Sequence, residues 1–196
     1  QDALAPRINA AAQRVLDRLG ITLETAPAAG CCGAISHHLT ATEEARDFMR
    51  RNIDAWWPHI EAGAEAIVVT ASGCAVQVKD YGRLLADDPV YADRAARVSA
   101  LARDLAQVVA AEDVFSLAPA ADAPRRIAFQ SPCTLQHGQR LSGVVEGLLR
   151  RAGFELLPVA DGHLCCGAAG TYALLQRELS HALRGRKLAT LTAGPP

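Results

Sequence analysis

One short pattern occurs twice in this chain and limits the folds that are open to it. Cys31-Cys32-Gly33 in the first half is matched by Cys165-Cys166-Gly167 in the second. Before each cysteine pair come the end of a helix-like segment, a glycine (Gly20 or Gly153), a strand-length stretch and a loop that contains proline. Internal self-similarity of this kind indicates two copies of one supersecondary unit. We therefore expect two related halves.

Strand-length apolar stretches alternate with helical patterns along the chain. Helices are predicted over 9–19, 76–86, 90–111, 141–152 and 171–189. One more helix is predicted to begin at the capping-box pattern Thr40–Glu43 and to be bent or ended by Pro58. Strands are predicted over 21–25, 66–70, 127–130 and 154–159. This alternation is typical of an α/β fold with mainly parallel strands. We expect two pseudo-repeated α/β halves, residues 1–115 and 127–196, joined by a linker over 116–126 that is rich in Ala and Pro.

All six cysteines fall in loops that follow predicted strands. Parallel strands place such loops on one edge of a sheet, where residues distant in sequence converge. Thiolates are soft ligands that select iron–sulfur clusters, zinc or copper(I), and four of them suit a cluster. We predict an iron–sulfur centre for electron transfer. The expected ligands are Cys31, Cys32 and Cys74 in the first half and Cys133, Cys165 and Cys166 in the second.

The repeat also predicts where further cysteines belong. Cys133 precedes the second pair, and Cys74 follows the first pair. When each is projected onto the other copy, the position equivalent to Cys133 falls just before Gln1 and the position equivalent to Cys74 falls beyond Pro196. The complete unit then has four thiolates, and we expect this sequence to be a fragment in which each copy shows three.

Glycines and histidines beside the cysteines are candidates for a supporting role. Gly33, Gly73 and Gly167 allow close approach of the backbone, whose N–H groups then face sulfur and tune the reduction potential. His137 and His163 lie near Cys133 and Cys165, where an imidazole could hydrogen-bond a sulfide, relay a proton or ligate metal. Loop histidines are more often solvated or bonded to backbone.

Other interpretations of the cysteines stay open. A disulfide framework fits small secreted scaffolds, whereas this chain has 196 residues and half of them are apolar. Structural zinc usually shows Cys-x-x-Cys knuckles, which the chain lacks. Any single cysteine could be a small core residue, but core filling does not require adjacent pairs. A subunit-docking module, zinc-bound or metal-free, and a redox-active thiol pair that reduces a substrate disulfide both remain as alternatives.

Composition excludes several other classes. The net charge of −1 argues against nucleic acid as a partner. The longest apolar stretches are too short to cross a bilayer, so we expect no transmembrane segment and a cytoplasmic location, with peripheral association at the inner face of the membrane as an option. The sequence contains no G-x-G-x-x-G, P-loop, G-x-S-x-G or H-E-x-x-H motif.

The duplicated Cys-Cys-Gly, with Ser131-Pro132-Cys133 upstream of one copy and Ser72-Gly73-Cys74 downstream of the other, resembles the cysteine-rich CCG domain family. The cysteine-rich subunit of heterodisulfide reductase and the lactate-utilisation proteins belong to it. Nearly the whole chain is similar to one branch, the iron–sulfur subunits of glycolate-oxidising complexes, and Arg51–Pro58 and Leu164–Tyr172 carry much of that similarity.

The resemblance implies a multi-subunit oxidoreductase. FAD-containing glycolate dehydrogenase subunits would oxidise glycolate to glyoxylate, and the iron–sulfur subunit would pass the electrons on. It further implies a [4Fe-4S] cluster and a ferredoxin-like region ahead of this domain in the same subunit, and it implies no catalytic residue in this chain. Some relatives complete the site with Cys-x-x-Cys. Here Ala71 stands at the first of those positions, so a four-thiolate centre fits better than a five-thiolate one.

Overall fold

A computed structural model describes residues 5–117 and 119–193, apart from the side chains of residues 115 and 116. The chain forms two compact units, Gln1–Ala111 and Glu112–Pro196. Each unit contains one pair of short parallel strands surrounded by helices. The predicted α/β class with parallel strands is thereby confirmed.

The helices and strands are as follows. The helices are α1 Pro6–Arg18, α2 Ala34–His38, α3 Thr42–Glu61, α4 Ser72–Lys79, α5 Tyr81–Leu84, α6 Ala92–Leu101, α7 Leu105–Ala110, α8 Val144–Arg151, α9 Tyr172–Leu175 and α10 Arg177–Thr192. The strands are β1 Ile67–Val69, β2 Ala102–Asp104, β3 Arg126–Ala128 and β4 Glu155–Leu157. A 3-10 helix spans Val114–Leu117, and a π-helix spans Thr134–Gly138.

In the first unit, β1 and β2 pair in parallel with Ile67 opposite Ala102 and Val69 opposite Asp104. Helix α3 buries Ala45, Met49 and Ile53 at helical spacing, and these side chains belong to the main core with α5 and α6. Helices α5 and α6 approach closely at Gly82, where a Cβ atom would lie 3.0 Å from the Cα of Ala96.

The predicted helix over 90–111 is wrong in its middle, because β2 interrupts it between α6 and α7. Asp104 supplies the local reason. Its side chain accepts a hydrogen bond from the N–H of Ala106, and it forms a capping box with Gln107, so a new helix begins at Leu105. Pairing with β1 supplies the rest, since the three strand residues hydrogen-bond a distant segment. Helical periodicity within the segment carries no information about that pairing with a distant strand.

Other local predictions also needed correction. The segment predicted as a strand over 21–25 has no strand in the described structure. The capping box at Thr40–Glu43 does not form, because Ala41 is the N-cap and the Thr40 and Thr42 hydroxyls donate to nearby carbonyls instead. Pro58 lies inside α3, which continues to Glu61. The predicted helix over 76–86 begins earlier, at Ser72, and divides at Asp80.

In the second unit, β3 and β4 pair in parallel with Ile127 opposite Leu156. Arg126 and Glu155 form a cross-strand ion pair at 3.5 Å. The predicted helix over 171–189 divides at Gln176 into α9 and α10. Buried apolar side chains are few here, and Val114 and Leu135 are those that the described residues supply.

Both ends of the predicted linker, 116–126, fall in regular structure, in the 3-10 helix and at the start of β3, while position 118 lies outside the described residues. Within the described ranges, no helix has the length and apolarity needed to cross a membrane.

Candidate thiol site

The first group of cysteines lies where a loop meets the start of a helix. Cys31 and Cys32 occupy the loop between α1 and α2, and Cys74 lies in the first turn of α4, directly after β1. Cys31 is exposed, Cys32 is buried and Cys74 is half-buried. The pair is not preceded by a strand, contrary to expectation, whereas Cys74 does follow the carboxyl end of β1.

The thiols of Cys32 and Cys74 are hydrogen-bonded to each other. This bond lowers the pKa of Cys74 to about 7, against the opposing effects of burial and of the charge of Cys31. The same bond, together with burial, raises the pKa of Cys32. Of the two thiols, Cys74 is therefore the one whose thiolate is favoured, with Cys32 as the hydrogen-bond donor to it. A thiolate is the form that ligates metal and attacks disulfides.

The backbone geometry at Gly33 explains why glycine follows the cysteine pair in the Cys-Cys-Gly motif. Its φ is +81°, in the left-handed region that favours glycine, and it is the N-cap of α2. A Cβ atom at this position would lie 2.9 Å from the carbonyl oxygen of Ala45. The residue that follows the pair must therefore lack a side chain, both for its conformation and for the approach of α3.

The second group of cysteines repeats part of this geometry. Cys165 is exposed, while Cys133 and Cys166 are half-buried. The N–H of Gly167 donates to the Sγ of Cys165 at 3.3 Å. The φ of Gly167 is +83°, and a Cβ atom there would overlap the carbonyl of Ser180 on α10. Both motif glycines thus have a left-handed backbone pressed against a helix carbonyl.

The remaining predicted residues, Gly73, His137 and His163, lie near the cysteines in sequence. Gly73 is in the first turn of α4 and has no left-handed φ. His137 belongs to the π-helix that follows Cys133, and His163 lies in the loop before Cys165. Both imidazoles are exposed. In the described part of the chain, no three or more His, Cys, Asp and Glu side chains are already gathered as a metal-holding group.

Two buried polar atoms beside the cysteines have no hydrogen-bond partner among the described residues. One is the Nε2 of Gln77, three residues after Cys74, and the other is the Oγ of Ser131, two residues before Cys133. The Oε1 of Gln77 is hydrogen-bonded to His37 Nδ1 at 3.2 Å, which fixes that amide. A buried donor without an acceptor is costly. Thiol side chains together with buried polar atoms that still need partners form a set of groups that fits an iron–sulfur group.

Sequence reasoning missed the residues that hold the first cysteine loop. Asn52 on α3 and Tyr81 on α5 are fully buried and bond the backbone of that loop. The available signal was a polar residue, Asn52, on the apolar face of α3. Gln77 was also missed, and it is found by its spacing of one helical turn from Cys74.

Comparisons with known proteins bear on this arrangement. The profile of the cysteine-rich CCG domain matches residues 1–79 and 127–195. The chain is 53% identical over all of its 196 residues to the glycolate oxidase iron-sulfur subunit of Escherichia coli (strain K12), covering 48% of that protein. It is 28% identical to the probable glycolate oxidase iron-sulfur subunit of Bacillus subtilis (strain 168), over 94% of the chain and 41% of that protein.

A third relative is lactate utilization protein A of Geobacillus thermodenitrificans (strain NG80-2), 28% identical over 95% of the chain and 76% of that protein. The chain thus spans about half the length of the first two relatives. The family profile covers most of the chain and includes all six cysteines. The chain therefore belongs to the cysteine-rich CCG domain family.

Proposed function

We propose that this chain is the cysteine-rich part of an iron–sulfur electron-transfer subunit in a glycolate-oxidising complex. One observation carries the proposal: the side chains of Cys32 and Cys74, 42 positions apart, are hydrogen-bonded to each other in a chain whose relatives are named as iron–sulfur subunits. The identity of 53% to the subunit from Escherichia coli supports glycolate as the donor of electrons. The chain itself has no assigned catalytic residue, and its role is to hold and insulate a redox group.

The ligands in this proposal are Cys31, Cys32 and Cys74 for one centre and Cys133, Cys165 and Cys166 for the other. We propose a [4Fe-4S] cluster, which would supply reversible one-electron exchange. Cys74 is ready to ligate because its pKa is already lowered to about 7. The N–H of Gly167 already points at the sulfur of Cys165, and such bonds stabilise the reduced, more negative state. Gln77 and Ser131 stand as further donors.

The organisation of the complex is part of the same proposal. The two halves are repeats that would each complete a four-thiolate site. The partners would be FAD-containing glycolate dehydrogenase subunits, which oxidise glycolate to glyoxylate, and a ferredoxin-like region of the same subunit. We place this assembly in the cytoplasm, peripheral at the inner face of the membrane. The names of the relatives support the oxidoreductase complex.

A second function has its own observation. The contact between Cys32 and Cys74 also suits a dithiol that reduces a substrate disulfide. The Cys74 thiolate would attack one substrate sulfur and release the other as a thiol. Cys32 would then displace the second substrate thiol, leaving a Cys32–Cys74 disulfide. This route takes two electrons from the protein and needs no metal.

Anaerobic reconstitution separates these functions. The protein is loaded with ferrous iron and sulfide, and iron content, absorption and electron paramagnetic resonance spectra are recorded. We expect a cluster signal that loses the contribution of one centre in Cys74→Ser and the contribution of the other centre in Cys165→Ser. Ser99→Ala, which removes a hydroxyl hydrogen-bonded to the N–H of Gly82, is the control.

The outcomes are distinct. Absence of any cluster signal in the reconstituted protein would contradict the proposal. Stoichiometric zinc in its place would favour a docking module. Release of both thiols of a small disulfide by the reduced, metal-free protein, cut to one thiol in Cys32→Ser, would favour the dithiol.

A further inference from the structure

Buried side chains of α3 and α5 make hydrogen bonds to consecutive backbone groups of the first cysteine loop. The N–H of Gly30 donates to Oδ1 of Asn52 at 2.8 Å. Nδ2 of Asn52 donates to the carbonyl of Cys31 at 2.9 Å. The hydroxyl of Tyr81 donates to the carbonyl of Cys32 at 2.9 Å. Three consecutive loop residues are therefore fixed by two side chains.

Asn52 and Tyr81 form a closed pair. Both side chains are fully buried, and Nδ2 of Asn52 also donates to the Tyr81 hydroxyl at 3.1 Å. Both N–H groups and the oxygen of the amide are thereby used, and the hydroxyl both donates and accepts. The amide orientation is unambiguous, because Oδ1 faces an N–H and Nδ2 faces a carbonyl. A buried network in which every group is satisfied favours one geometry over all others.

An outer contact acts on the same loop. The guanidinium of Arg51 donates to the carbonyl of Cys31 at 3.2 Å and lies 5.0 Å from the ring centroid of Phe48. A Cβ atom on Gly30 would meet this guanidinium at 2.5 Å, so the glycine leaves room for it. The Cys31 carbonyl thus accepts from Arg51 on the exposed side and from Asn52 on the buried side.

This network decides where the two thiols point. Cys31 and Cys32 are adjacent, yet one is exposed and the other is buried against Cys74. The peptide between them includes the Cys31 carbonyl that Asn52 holds, and the next carbonyl is held by Tyr81. Rotation of either peptide would move Cys32 away from Cys74. Burying an amide on the apolar face of α3 is unfavourable unless its bonds are made, and all of them end on this loop or on Tyr81.

We propose that Asn52, with Tyr81 as its partner, is the positioning residue of the first thiol site. It acts through the loop backbone and does not touch the bound group. The inference rests on the proposed function only in taking these thiols as ligands of a redox centre. The positioning itself is a property of the metal-free chain.

The test uses the reduced, metal-free 196-residue chain and two variants. Asn52→Leu removes all three bonds at similar size, and Tyr81→Phe removes the bond to Cys32 while keeping the ring in the core. Each cysteine's rate of alkylation by iodoacetamide is followed by mass spectrometry. We expect the rate at Cys32 to rise about tenfold or more in each variant, because the loop opens without these bonds.

Two controls separate positioning from a general loss of stability. Cys133, Cys165 and Cys166 in the second unit report within each sample and are expected to keep their wild-type rates. Ser99→Ala removes two other half-buried hydrogen bonds of the first unit, one from the N–H of Gly82 and one to the carbonyl of Val78, without touching the cysteine loop. It is expected to leave Cys32 unchanged.

An unchanged rate at Cys32 in Tyr81→Phe would overturn the proposal, as would an equal rise at all six cysteines. In reconstituted samples, we expect the variants to shift the reduction potential of the first centre while the second keeps its potential. If no cluster forms in any sample, the proposed function fails, but the alkylation result still decides the positioning role. If the cluster forms with the same potential in every variant, the positioning role fails alone.

Discussion

At the scale of single residues, two glycines show how the motif is built. Gly33 and Gly167 share a left-handed φ, of +81° and +83°, and each faces a helix carbonyl. The other residues of the motif carry chemistry, whereas these glycines provide the turn that lets a helix pack against the cysteine pair. The glycine is thus a steric requirement of the motif.

Replacing these glycines with alanine is expected to destabilise the chain. The left-handed conformation alone costs about 1–2 kcal/mol for an L-residue, and the overlap with a carbonyl adds about 1–3 kcal/mol. Gly167→Ala should cost more than Gly33→Ala, because its Cβ atom would lie closer to the facing carbonyl. Urea titrations followed by circular dichroism measure both.

Gly147→Ala is the matched control. This glycine lies in α8 with nothing within 4 Å of an added Cβ atom. The substitution should stabilise the helix by about 0.5–1 kcal/mol. Equal effects at the three positions would show that steric overlap at the motif has been misassigned.

At the scale of elements, α10 makes side-chain hydrogen bonds to the backbone of the second cysteine loop, as α3 and α5 do to the first. The ammonium of Lys187 is buried and donates to the carbonyl of Asp161 at 2.8 Å, four residues before Cys165. The hydroxyl of Ser180 donates to the carbonyl of Gly167 at 2.9 Å. One helix therefore holds the loop on both sides of the cysteine pair, with a cation in place of the neutral amide and phenol.

Lys187→Met is expected to loosen this loop. The variant keeps the length of the side chain but leaves the Asp161 carbonyl without its charged donor, at a cost of about 1–3 kcal/mol. Alkylation of Cys165 and Cys166 should become faster. Arg184→Met removes the same charge from an exposed position on α10 and should leave both rates unchanged. If the two variants behave alike, the effect is one of charge and not of the hydrogen bond.

At the scale of the whole molecule, the two units differ in how much they bury. The main core is formed by residues of the first unit, including Met49, Ile53, Tyr81 and Leu85. Among the described residues of the second unit, the buried apolar side chains are those of Val114 and Leu135. Because buried apolar area is the main source of stability, the second unit has the smaller share.

Hydrogen exchange followed by mass spectrometry should show this difference. We expect amides of α3 and α6 to exchange at least tenfold more slowly than those of α8 and α10, since local opening follows the density of buried contacts. Peptides from helices alone make a fair comparison, because all these amides are hydrogen-bonded within helices. Equal protection of α3 and α10 would contradict the expectation.

The sequence by itself determined the class of fold and the family, and it predicted the chemistry of the site. The alternation of helical and strand patterns can be recognised from neighbouring residues. The prediction of thiolate ligands likewise depends on short local motifs. The profile match and the parallel strand pairs agree with those inferences. The assignment of all six cysteines as ligands and the two-repeat organisation remain predictions.

Only the tertiary structure decided which groups meet. Helical periodicity ran through β2, because nothing within residues 90–111 reveals that Ala102–Asp104 pairs with β1. The hydrogen bond between Cys32 and Cys74 and the hold of Asn52 and Tyr81 on the cysteine loop join segments 20 or more residues apart. Such contacts depend on how α3, α4 and α5 pack together. The free energy of that packing depends on residues from several distant segments, so no single local stretch of sequence determines it. The motif therefore specified the thiols, and the packing behind it specified how they are held.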